Sequence, residues 1–106
     1  MLKKFIVVFV TCSSGREAVR IADMIIRKRL AACASIMPKI ESRFRWKGRV
    51  VKAKESLIIA KTSPGKFASL EREVKKIHSY EVPEIIAMPI TAGSASYLEW
   101  IDKNTK

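Results

Sequence analysis

The chain has 106 residues, 48% of them hydrophobic and 29% charged, with a formal net charge of +11. That length and balance indicate a single domain over residues 1–106 with a core of its own, and they exclude a disordered polymer. No apolar run approaches the roughly 20 residues that a membrane-spanning helix needs.

Lys3 and Lys4 before Phe5 imitate a secretory leader, but the apolar run Phe5 to Val10 is short and no small-residue cleavage site follows. Residues 3–11 therefore read as the first strand, central in a sheet, of a cytoplasmic protein. Ser13-Ser14-Gly15 turns the chain, and Ser14 with Glu17 fits a capping box. A helix is expected over about residues 15–30. Ala18, Ile21, Ala22, Ile25 and Arg29 fall on one face, and Val19 and Ile26 widen the apolar stripe.

Two strands joined at Trp46-Lys47-Gly48-Arg49 follow. Simple alternation puts Ile36, Pro38, Ile40, Ser42, Phe44 and Trp46 on one face, opposite Lys39, Glu41, Arg43 and Arg45. Gly48 supplies the positive φ of a short turn, and Pro38 suits an edge or a bulge. The second helix opens with Ser63 as N-cap and Pro64 at its first position, then buries Phe67, Leu70, Val74 and Ile77. Residues 85–90 form the fourth strand. A short helix carries Tyr97, Trp100 and Ile101 on one side.

The order β-α-β-β-α-β plus a terminal helix is the ferredoxin-like arrangement, an α+β fold with both main helices on one face of an antiparallel sheet. The end of the first strand, at Thr11-Cys12, then lies beside the start of the last. Cys33 opens a strand parallel to the first and belongs at the opposite end, which argues against a Cys12–Cys33 disulfide. A Cys12/His78 grouping is geometrically reasonable. His78 is the only histidine, and it stands in the stretch His78-Ser79-Tyr80-Glu81-Val82-Pro83-Glu84 at the end of the second helix.

A thiolate and an imidazole suit copper or zinc better than calcium or magnesium, and Glu81 or Glu84 could add an oxygen. The competing reading makes Cys12 a small buried hydrophobe and His78 a helix-end cation. Catalysis has little support: the chain has no G-x-S-x-G elbow and no glycine-rich phosphate loop, and Asn104 lies in the tail. RNA recognition lacks the expected aromatics on the third strand, and the basic residues are dispersed, so a nucleic-acid role is disfavoured. Phe44 and Trp46 near the hairpin tip, with Trp100, read as interface residues. No glutamine, a single asparagine and abundant Lys, Arg and Glu hint at a thermophilic source.

Val10-Thr11-Cys12, Arg29-Leu30-Ala31-Ala32-Cys33, Trp46-Lys47-Gly48, His78 to Glu84 and Tyr97-Leu98-Glu99-Trp100-Ile101 together resemble the CutA divalent-cation tolerance family over essentially the whole length. The resemblance implies a homotrimer built like the PII signalling proteins. It further implies a part in tolerance to copper or other divalent cations and no established enzymatic reaction. Carried over by position, it implies His78 and Cys12 as the first metal ligands and Cys33 as a second-rank one. A PII-like regulatory or structural trimer, binding a small ligand or a protein partner, is the alternative. Where the family usually has proline after the histidine, this chain has Ser79, which leaves the local backbone freer.

Overall fold

In the computed structural model, which describes residues 4–106, the elements follow as β1 (Ile6–Cys12), α1 (Gly15–Arg27), β2 (Cys33–Trp46), β3 (Arg49–Thr62), a 3-10 turn (Pro64–Lys66), α2 (Phe67–Ile77), β4 (Ile85–Pro89) and α3 (Ala95–Lys103). Lys3, placed in the first strand by sequence, lies outside the described residues. All neighbouring strands are antiparallel, in the order β2-β3-β1-β4. The α+β, ferredoxin-like expectation is met.

Alternation along the strands separates two faces. Val8, Val10, Cys12, Ile58 and Ala60 are buried against Ala18, Ile21 and Ile25 of α1 and Leu70 and Val74 of α2. Burying each large aliphatic side chain in this layer contributes roughly 1.5–3 kcal/mol, more than helix propensity supplies. Both main helices thus share one face. The alternate residues form a second apolar surface, where Phe9 faces Ile59 on one side and Ile86 on the other, and Val7 faces Met88. Ile86 and Met88 remain 48% and 40% exposed.

Several local expectations need correction. Helix α1 ends at Arg27, and Arg29 takes a left-handed φ of 57° beyond it, so Arg29 is not part of the buried stripe. Val19 and Ile26 are exposed, because α1 packs only its Ala18/Ile21/Ala22/Ile25 ridge. At α2, Ser63 precedes a 3-10 turn and makes no side-chain cap bond; its hydroxyl meets Thr105 instead.

The larger correction lies in the hairpin. Met37 pairs with Leu57 but Ile40 pairs with Glu55, so one extra residue bulges out around Pro38 and Lys39, the latter at φ 61°. A one-residue bulge reverses the alternation. Ile36 therefore faces the helix-packed core beside Ile58, whereas Ile40, Ser42, Phe44 and Trp46 take the opposite face, beside Glu55, Ala53, Val51 and Arg49. Simple alternation put them all together. The turn itself is as expected: Lys47 and Gly48, at φ 51° and 77°, join Trp46 to Arg49. Because β1 ends opposite Ser56, the hairpin beyond that register continues as a two-stranded ribbon.

Candidate functional site

Helix α2 runs out at Ile77, and His78 is its C-cap, with φ −78° and ψ 139° turning the chain back toward the end of β1. The His78 side chain is fully buried there. Its Nε2 lies 2.8 Å from the Thr11 carbonyl, and its Nδ1 accepts from the Tyr80 N–H at 3.0 Å. A carbonyl can only accept and an N–H can only donate, so these partners select the neutral tautomer with the proton on Nε2. The ring is a satisfied buried imidazole rather than the helix-end cation of the competing reading.

Glu17 faces the same ring, its Oε1 3.9 Å from Nδ1. The sequence marks Glu17 only as half of a capping box. That half is present, since the Ser14 hydroxyl accepts from the Glu17 N–H at 3.1 Å. The carboxylate does more. Its Oε1 accepts from the Ser13 N–H and hydroxyl, and its Oε2 accepts from the Ser79 N–H at 2.8 Å. Proline at position 79 could not make that last bond, so the departure at Ser79 gives this chain a tie between α1 and the segment after α2. Burial pushes the Glu17 carboxyl up, but the hydrogen bonds from Ser13 and Ser79 outweigh it and bring its pKa down to about 2.

Cys12 closes the group at the end of β1, with no exposed surface. Burial, reinforced by the carboxylates of Glu17 and Glu55, pushes its thiol up to about 12. One ligand atom each from Cys12, Glu17 and His78 lie within 4.8 Å of one another. Sulfur, imidazole nitrogen and carboxylate oxygen together form a donor set that fits copper or zinc by type. To coordinate, Cys12 must lose its proton and one His78 ring nitrogen must release its present hydrogen-bond partner, so binding is coupled to proton release and a local shift.

The other predicted ligands lie elsewhere. Glu81 and Glu84 line a groove of about 750 Å³ between the β2–β3 ribbon and residues 79–84. Phe44, Trp46, Val51, Glu55 and Tyr80 also line it, so the two hairpin aromatics overlook a groove of their own chain while remaining 39% and 41% exposed. Tyr80 donates to Glu55 at 2.7 Å, a pairing that sequence reading missed because the residues are far apart in the chain. Cys33 is at the opposite end of the sheet, its Sγ 3.4 Å from the Tyr97 hydroxyl, and Tyr97 stacks on the half-exposed Trp100.

Comparison with known proteins identifies the family and the fold. Residues 6–104 match the family model described as CutA1 divalent ion tolerance protein. The divalent-cation tolerance protein CutA of Thermus thermophilus is 43% identical over 99 residues, covering 93% of this chain and 96% of that one. The chloroplastic protein CutA of Arabidopsis thaliana is also 43% identical, over 95% of this chain but only 56% of its own length. Among solved structures, the Thermus thermophilus protein superposes with a TM-score of 0.94 at 42% identity, covering 96% of this chain and 99% of that one. A structure described as the periplasmic divalent cation tolerance protein CutA of Archaeoglobus fulgidus gives 0.93 at 42% identity, with the same coverage. With family model, sequence identity and superposition in agreement, this chain belongs to the CutA1 divalent ion tolerance family.

Proposed function

We propose that this protein contributes to divalent-cation tolerance by binding copper, or another divalent ion with affinity for sulfur and nitrogen, at Cys12, Glu17 and His78. It acts in this reading as a cytoplasmic homotrimer and as a binding protein rather than an enzyme. The observation that carries it is the convergence of the three donors at the junction of β1, α1 and the end of α2, in a chain of a family named for cation tolerance. Cys33, Glu81 and Glu84 fall outside this ligand set because the fold puts them at the far end of the sheet and in the ribbon groove.

Support for the trimer comes from the second apolar face of the sheet and from its two open edges, β2 and β4. Three copies exchanging such surfaces around an axis close without a free edge. Phe44, Trp46 and Trp100 flank the association.

Titration with copper against a competing chelator tests the metal reading, with the native chain beside Cys12→Ser, His78→Ala and Glu17→Gln. Saturable binding weakened by all three substitutions supports it. Binding that ignores them overturns it and favours a PII-like trimer in which metal binding is incidental. The complete hydrogen bonding of His78 and Glu17 is the feature that favours this second reading.

A further inference from the structure

The basic residues are dispersed along the sequence, but the register of the β2–β3 ribbon gathers several of them on one face. Arg43 stands directly opposite Lys52, Lys54 opposite Glu41, and Arg45 opposite Val50, with Lys47 in the turn. Lys52 and Lys54 follow the alternation of the core-facing Ile58 and Ala60, so this row lies on the face away from Phe44, Trp46 and Val51. The association surfaces proposed above therefore leave it outward, although Arg43 also borders the groove. All five cations are exposed. Glu41 is the one carboxylate of the row, 3.1 Å from Arg43 and 3.7 Å from Lys52. Arg45, Lys47 and Lys54 have no ion-pair partner among the described residues. Like charges directly across a strand pair are destabilising, and a two-stranded ribbon has little other stability to offset them.

Regularly spaced negative charge is the complement of such a row. Alternate residues of a strand are about 6.8 Å apart, twice the roughly 3.4 Å axial spacing of phosphates along one DNA strand. The major groove of B-DNA, about 12 Å wide, admits a two-stranded ribbon. Val50 is the only large apolar side chain in the row, and the hairpin aromatics lie on the other face. The row therefore has nothing to bury in a lipid surface and no ring on which unpaired bases could stack. We infer that this cationic face of the ribbon binds duplex DNA through its phosphates. The contact is electrostatic and independent of base sequence. Arg45, Lys47 and Lys54 carry it directly, and Glu41 tempers it by holding Arg43 and Lys52. It does not depend on the proposed metal ligands.

Fluorescence anisotropy of a labelled, mixed-sequence DNA duplex, titrated with the full chain between about 50 and 200 mM salt, tests this. Saturable binding is expected, with log K falling against log salt at a slope of about −4 or steeper. Arg45→Ala with Lys54→Ala should weaken binding about tenfold or more and flatten the slope by about two. Both side chains are exposed, so the circular dichroism and oligomer mass of that variant should match the native protein. Glu41→Gln, which frees Arg43 and Lys52, should tighten binding. Lys66→Ala with Lys103→Ala removes the same charge beyond the opposite end of β3 and should change binding little. Absence of saturation, a slope flatter than about −2, or an equal loss in the Lys66 and Lys103 variant overturns the inference. So does failure of either ribbon variant to shift binding as stated. Phosphatidylserine vesicles or polyglutamate displacing the label at lower charge concentration than unlabelled duplex would also overturn it, giving the face to a membrane or an acidic protein.

Discussion

The Nε2 of His78 lies 2.8 Å from the carbonyl oxygen of Thr11, so one buried ring ties the end of α2 to the end of β1. The other nitrogen holds the Tyr80 N–H, which fixes the start of the segment that runs on to β4. His78→Ala therefore strands a carbonyl and an N–H in a site with little access to water. We expect a loss of about 1–3 kcal/mol, measured by chemical denaturation at constant protein concentration. A loss within error of zero would show that the ring is not a structural tie.

Glu17 makes stability depend on acidity. Its carboxyl is lowered from an ordinary 4.5 to about 2, so the native state binds the proton less readily than the unfolded chain. The resulting stabilisation is full above pH 4.5 and is lost as pH falls through about 2. For a side chain only 7% exposed it is on the order of 3 kcal/mol. Glu73 is lowered over the same window by its hydrogen bonds to Lys28 and Lys76, so the native profile alone does not isolate Glu17. The difference between native protein and Glu17→Gln does. Denaturation midpoints from pH 6 to 2 should converge as the pH falls.

Ser79→Pro removes the N–H that donates to Glu17 Oε2. His78 already has the extended ψ that a following proline requires, so backbone strain is not the cause of any loss. The acid limb of the stability profile should move to higher pH, as the carboxylate loses one of the bonds that lower its pKa. An unmoved limb would assign that lowering to Ser13 alone.

The two thiols should differ sharply in reactivity. Cys12 is buried with its pKa pushed up to about 12, whereas Cys33 is half-buried beside Tyr97. Native protein with iodoacetamide at pH 8 should be alkylated at Cys33, and at Cys12 only after unfolding, as read by peptide mass spectrometry. Rapid native labelling of Cys12 would contradict its placement in the core.

The exposed apolar face of the sheet carries the association argument. Ile86→Asp puts a charge opposite Phe9 at the centre of that face. Light scattering of the native protein should give three times the chain mass of 12.0 kDa, and the variant should dissociate. A monomeric native protein would remove the basis for a trimer.

Sequence by itself determined the element order and hence the topology, because the helices repeat an apolar period and the strands show as alternating or continuous apolar runs between turn residues. The period of α2 told that Leu70 and Val74 are core, and the crossover rule put Cys12 and Cys33 at opposite ends. Local patterns also carried Pro38, Gly48 and the Ser14 cap, whose causes lie within a few residues. Tertiary structure decided what depends on contacts between distant segments. Glu17 looks like a capping residue until α2 delivers His78 and Ser79 to it. Glu55 looks like one more strand-surface acid until Tyr80, 25 residues away, closes over it. The one-residue bulge near Pro38 shows the same limit: the proline marks where alternation can break, but only pairing with β3 decides which face Phe44 and Trp46 take.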